Sequence, residues 1–201
     1  MNAGDHANEE RWRSYYRKTE GRPPRRTLLF ALDRAERPGF AIDLGCGGGR
    51  DVAEMLWRGW RVLAIDAQAS AIEELMRMVP ADARDRLQTR VEKFEESALP
   101  PSDLVNSSFA LPLCPPAAFP RLWWRISRSL RHGGRIACQL YGPKDSWAGR
   151  PGLTFHTHEE VKALLTGLHL ELFEEEESDS VTPRGTAKHW HIFHIVARRP
   201  T

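Results

Sequence analysis

At 201 residues with 41% hydrophobic content, the chain is sized for one domain and is neither disordered nor fibrous in composition. A net charge of only +2 gives no general case for nucleic acid, and no apolar run approaches the ~18 residues that span a bilayer. The opening segment MNAGDHANEERWRSYYRKTE is charged and lacks the apolar centre of a secretory leader, and the three cysteines Cys46, Cys114 and Cys138 suggest neither a disulfide framework nor a zinc site. A reducing, cytoplasmic setting is expected.

In chain order, Pro23 and Pro24 open a helix over RRTLLFALDRA, whose apolar residues recur at helical spacing. The arginines around it (Arg22, Arg25, Arg26) and those dispersed between 121 and 135 read as solvated helix faces. GFAIDL is a short strand ended by glycines. RDVAEMLWRG is a helix stopped at Gly59, WRVLAID a strand, and SAIEELMRMV a helix with Ser70 as N-cap. A weaker strand lies in RLQTRVEKF, and SDLVNSSFAL is a strand leading into a proline-marked loop.

AFPRLWWRISRSLRHGG is then a helix ending at Gly133 and Gly134, with the strand RIACQLYG directly after it. HTHEEVKALLTG has Thr157 and Glu160 at capping-box spacing. LHLELFEEEES and KHWHIFHIVARR close the chain as two strands joined without a helix, which can neighbour each other only in antiparallel fashion. Alternating strands and helices before that pair predict a doubly wound α/β fold, a mostly parallel sheet covered on both faces, with one reversed strand at its edge.

Four glycines fall in five positions at 45–49, directly after the first strand, where a doubly wound sheet binds ligands. Gly45, Gly47 and Gly49 leave the main chain bare for close approach, and Asp66 ends the next strand, where a carboxylate can accept from ribose hydroxyls. A dinucleotide fingerprint needs a third glycine three residues after Gly47, and Arg50 stands there. A nicotinamide oxidoreductase is therefore disfavoured.

The pattern Asp43, Gly45, Gly47, Gly49 instead resembles motif I of the class I S-adenosylmethionine-dependent methyltransferases, with Asp66 matching their ribose-binding acid. In size and in the ending HIVARR the chain is similar to small bacterial tellurite-resistance-type and related small-molecule methyltransferases. The resemblance implies a Rossmann-like, seven-stranded core over 37–201, preceded by an N-terminal lid segment over 1–36. It implies S-adenosylmethionine as cofactor, with S-adenosylhomocysteine as product, held around Asp43, Gly45, Cys46, Gly47, Gly49, Arg50, Asp66 and Ala67. Phe94 and Glu95 would flank the adenine, Ser107 and Ser108 would follow the fourth strand, and Tyr16 would close from the lid. Tyr15, Arg22, Phe109 and Trp190 would meet the acceptor, and Arg25 is the alternative to Arg22 for a carboxylate of cofactor or substrate.

Methyl transfer is mainly a matter of positioning, and a base is needed only where the nucleophile must lose a proton. FHTHEEV offers His156 and His158, and KHWHIFHIV offers His189, His191 and His194. His156, His189 and His191 are the favoured candidates, with period two setting His189, His191 and Phe193 on one strand face and Trp190 and His194 on the other. The histidine spacing matches no familiar metal site. NSSF stands where amino-group methyltransferases of this class carry an Asn/Asp-Pro-Pro-Tyr signature, and no magnesium-binding carboxylate cluster is found. A small-molecule acceptor in a monomer or homodimer, without nucleic acid or membrane, is expected. A non-catalytic nucleoside sensor is the alternative.

Overall fold

The computed structural model describes residues 10, 12–15, 18, 21–182 and 185–201. Its seven strands are β1 (Phe40–Leu44), β2 (Arg61–Asp66), β3 (Leu87–Val91), β4 (Ser102–Ser107), β5 (Leu130–Tyr141), β6 (His169–Val181) and β7 (Ala187–Arg198). They form one sheet in the order β3-β2-β1-β4-β5-β7-β6. The first five run parallel, and β7 is antiparallel to both of its neighbours. This is the Rossmann-like arrangement expected, with one difference. The reversed strand stands one place in from the edge, and β6 takes the edge itself.

Side-chain chemistry accounts for that order. β7 carries Ile192, Phe193, Ile195, Val196 and Ala197, all buried, whereas the Glu174–Glu177 run of β6 is exposed except where it pairs. The apolar strand gains most from a position covered on both faces. The acidic one blunts the open edge against pairing with other chains.

The principal helices are α1 (Arg26–Asp33), α2 (Arg50–Trp57), α3 (Ala69–Met78), α4 (Phe119–Ser129) and α5 (His158–Leu164). Strand alternation feeds two apolar clusters, one on each face. Ile42, Leu44, Leu63 and Ile65 pack with Phe119, Leu122 and Ile126 of α4 and Val161 of α5. Ala41, Val62 and Ala64 pack with Leu28, Val52, Met55 and Leu75 of α1, α2 and α3.

Two boundaries depart from the sequence reading. Ser70 is not the cap of α3: the helix starts at Ala69 with Gln68 before it, and the buried Ser70 Oγ has no hydrogen-bond partner among the described residues. α4 stops at Ser129, and Gly133 and Gly134 lie within β5, where the pairing with β4 shifts register between Ser102 and Leu104. Gly133 has φ +78°, and a Cβ on Gly134 would sit 2.9 Å from the Arg131 carbonyl, so the pair forms a bulge rather than a helix stop. The Thr157–Glu160 capping box is realised, with Glu160 N–H donating to Thr157 Oγ1 at 3.2 Å and Thr157 N–H to Glu160 Oε2 at 2.7 Å.

Candidate active site

The glycine loop joins β1 to α2, and its three positive-φ glycines do different work. A Cβ on Gly45 (φ +70°) would meet Ala110 Cβ at 2.3 Å, and one on Gly49 (φ +85°) would meet Leu75 Cδ1 at 2.3 Å. These two are bare because the protein packs against them. Gly47 (φ +54°) lines an open cavity, and its N–H donates to Asp66 Oδ2 at 2.9 Å. The other oxygen of Asp66 accepts from Gln68 N–H at 2.9 Å. Each carboxylate oxygen retains a lone pair, and the group faces the same cavity. Burial raises the Asp66 pKa above the usual carboxylate range, and the two backbone N–H groups oppose that rise.

Behind the loop lies a buried polar cluster. Asn106 Nδ2 donates to Asp43 Oδ1 at 2.8 Å and to Asp51 Oδ2 at 3.2 Å, and Ser108 Oγ donates to Asp51 Oδ2 at 2.5 Å. Arg25 N–H reaches Asp51 Oδ1 at 3.0 Å, tying the start of α1 to α2. Desolvation, then the neighbouring Asp51 charge, pushes the Asp43 pKa well up.

The cavity holds about 730 Å³ and opens at the carboxyl ends of the parallel strands, as the doubly wound fold requires. On the β1–β2–β3 side its walls are Gly45, Gly47, Asp66, Ala67, Phe94 and Glu95. On the β4–β5–β7 side they are Phe109, Tyr141, Trp147, Trp190 and His194. Ser108 lies between the two groups, with Tyr15, Arg22 and Arg25 also in the wall. Arg25 is half-buried, its buried Nε has no hydrogen-bond partner among the described residues, and its guanidinium lies 4.4 Å from the Phe109 ring centroid. Burial, with Arg50 second, lowers its pKa.

Several sequence candidates lie outside this lining. Asp43, Cys46, Gly49, Arg50 and Ser107 sit behind it: Ser107 Oγ donates to Leu44 O at 3.0 Å, and Arg50 Nε lies 3.5 Å from Asp51. Tyr16 falls outside the described residues. None of His156, His189 and His191 lines the cavity. His156 packs 4.5 Å from Phe119 in the core, and burial lowers its pKa. His189 pairs with Asp179 at 2.8 Å, and His191 Nε2 with Glu175 at 2.8 Å. The predicted alternation along β7 holds, but the cavity lies on the Trp190–His194 face, opposite the one His189 and His191 share.

Sequence reasoning missed Tyr141, Trp147, Arg150 and Gln139 as wall residues, and it named His194 without placing it among the favoured bases. The first three stand at or just past the carboxyl end of β5, so the strand-end rule applied to β5 as it was to β1 and β2 would have found them. Gln139 carries no sequence signal. It holds the Phe109 N–H at 3.1 Å, at a residue with φ +60°, and donates to Thr27 Oγ1 at 2.8 Å.

The sheet order is Rossmann-like, and the cavity at its strand ends carries an acid at the end of the second strand. Residues 41–134, just under half of the chain, match the family model described as a methyltransferase domain. Among solved structures, TehB from Haemophilus influenzae superposes with a TM-score of 0.73 at 15% identity, covering 86% of this chain. The chain spans only 61% of the length of that structure.

The 1,6-didemethyltoxoflavin-N1-methyltransferase of Burkholderia thailandensis, solved with its substrate and S-adenosylhomocysteine, gives 0.67 at 19% identity, covering 100% of this chain and 92% of its own. The N-methyltransferase NodS from Bradyrhizobium japonicum gives 0.67 at 15%, covering 98% and 99%. At such identities these likenesses establish the fold. No curated protein matches the chain. No helix among the described residues is long and apolar enough to cross a membrane.

Proposed function

We propose that the chain transfers a methyl group from S-adenosylmethionine to a small-molecule acceptor. The observation that carries this reading is a single cavity joining Gly47 and Asp66 to an aromatic chamber. A nucleoside sensor has no use for that second chamber. The residues fit the cofactor: Asp66 keeps acceptor capacity for the ribose, Phe94 and Glu95 line the same cavity and are assigned to the adenine, and Arg25 has an orphaned Nε for a carboxylate. When bound, S-adenosylmethionine supplies an electrophilic methyl carbon whose bond to sulfur breaks as an acceptor lone pair bonds to it, leaving S-adenosylhomocysteine.

The chain's own residues orient and desolvate. Phe109 and Trp190 wall the acceptor side, while Trp12 and Tyr15 extend the wall from the described part of the N-terminal segment, which we assign as a lid on a single-domain core. We assign any general-base duty to His194 rather than to the three other histidines. It lines the cavity, and Glu176 Oε2 lies 2.9 Å from its Nε2, which orients the ring and leaves Nδ1 to take a proton. The near-neutral charge supports an acceptor other than nucleic acid.

The test is a thermal-shift titration followed by methyl transfer. S-adenosylhomocysteine should raise Tm by mass action while NAD leaves it unchanged. Labelled cofactor with a metabolite extract should yield a labelled small product. For a proton-losing acceptor, His194→Gln should lower kcat more than it weakens S-adenosylhomocysteine binding. A Tm response to NAD alone would overturn the reading.

A further inference from the structure

The acceptor chamber is an aromatic cage, and such cages ordinarily attract cations. Here the cations are already supplied by the protein. Lys188, on the same face of β7 as Trp190, has its Nζ 4.0 Å from the Trp147 ring centroid, 4.2 Å from Trp190 and 5.1 Å from Tyr141. Its side chain has no exposure and is ion-paired with the equally buried Asp145. Asp145 also accepts from Trp147 N–H at 2.9 Å, so the pair fixes the loop that presents the Trp147 ring. Arg150 lies over Trp147 at 5.0 Å, and Arg25 over Phe109 at 4.4 Å.

Every large ring of the chamber therefore has a cation on it before any substrate arrives. A positively charged acceptor would meet ring faces whose electron density is already drawn elsewhere, and would be repelled by Arg25 and Arg150. A bare oxyanion would leave the ring faces unused. A planar, electron-rich ring stacks on them without that conflict. Arg150 is exposed at the wall and makes no ion pair among the described residues, which leaves its guanidinium for an anionic group. Glu176 also lines the chamber, but it is engaged by His194 and by Ser178 Oγ at 2.7 Å.

Resting on the methyltransferase reading, we infer that the acceptor is a planar aromatic or heteroaromatic anion, stacked among Phe109, Trp147 and Trp190 with its charge at Arg150. The lysine beneath the cage acts as a built-in counter-selection against ammonium substrates.

The experiment is calorimetric titration of the full chain saturated with S-adenosylhomocysteine, using three probes of similar bulk. These are 2-naphthoate (planar anion), (2-naphthylmethyl)trimethylammonium (planar cation) and decalin-2-carboxylate (non-planar anion). Naphthoate should bind about tenfold or more tighter than either other probe, the scale of one good ring contact. Trp190→Ala should remove about tenfold of that affinity, and Arg150→Gln should narrow the anion-to-cation ratio. Trp147→Leu serves as a second variant should Trp190→Ala not fold, and S-adenosylhomocysteine affinity in each variant reports folding. Equal or tighter binding of the cation, or of decalin-2-carboxylate, overturns the inference. Failure of wild type to bind S-adenosylhomocysteine instead overturns the methyltransferase reading and is scored separately, before any acceptor probe is added.

Discussion

Asp43 and Asp51 share the amide of Asn106 in a buried site, where desolvation, with the Asp51 charge second, makes it costly for Asp43 to be charged. Its folded-state pKa is raised above the unfolded value, near 3.8. The folded chain therefore binds more protons than the unfolded one as pH climbs between those two values, and stability falls over that window. Asn at this position never ionises and can still accept from Asn106. Asp43→Asn should raise the Tm of the cofactor-free protein at pH 7.5 by a few degrees, roughly 2–4 °C for each kcal/mol regained in a chain this size. Asp43 sits behind the cavity lining, so the same variant should change S-adenosylhomocysteine affinity far less than it changes Tm. Calorimetry on both forms checks this, and a variant less stable than wild type would refute the account. Asp43 was legible in the sequence because its role is local to the turn that follows it. Its partner Asp51 was not, since α2 brings that carboxylate up from beneath.

The turn after β4 places Phe109 at φ +60°, a backbone state costly for a residue with a side chain. The compensation comes from two other elements. Gln139 on β5 accepts from the Phe109 N–H and donates to Thr27 on α1, so strand, turn and helix are locked through one amide. Gln139→Leu removes both bonds and leaves the Phe109 N–H without that acceptor. It should cost about 1–3 kcal/mol in denaturant unfolding and raise the acceptor KM more than it weakens S-adenosylhomocysteine binding. Equal losses on both ligands would mean the amide stabilises the fold without positioning the ring. At the same scale, Trp147 depends on Asp145 and Lys188, residues 43 apart in sequence yet joined by the way β7 lies against β5.

Across the whole molecule, pH acts through groups spread over the α5 face and the hairpin. Burial holds His156 below its ordinary 6.5, so its contribution to stability is complete above pH 6.5 and is lost as pH falls toward the lowered value. Glu174, Glu175, Glu176 and Glu177 are held below their usual 4.5 by hydrogen bonds, from Arg26 to Glu174, His158 and His191 to Glu175, Ser178 and His194 to Glu176, and Lys144 to Glu177. Their contribution is present above 4.5 and lost below it. His189, raised first by its bond to Asp179, works in the opposite sense, but it is a solvent-screened surface group. Because Asp43 acts in the opposite sense and the glutamates are solvent-screened, the test is the difference between two curves: wild type should lose Tm relative to His156→Phe as pH falls through 6.5. A difference independent of pH would show that the buried imidazole is not the cause.

The order of elements, the glycine loop, Asp66 and the two faces of β7 could be read from the chain because each depends on near neighbours: a strand's period of two, a turn's need for glycine, a strand end's exposure to ligand. Phe94 and Ser108 came only from the family resemblance. Tertiary structure alone decided which face of β7 meets the cavity, and with it that His194 and not His191 stands in the wall. It also decided that β7 rather than β6 takes the inner position and that Lys188 lies beneath three aromatic rings. Those outcomes turn on how much apolar surface each packing removes from water and on where buried charges find partners. Both are sums over residues far apart in sequence, which no local pattern carries.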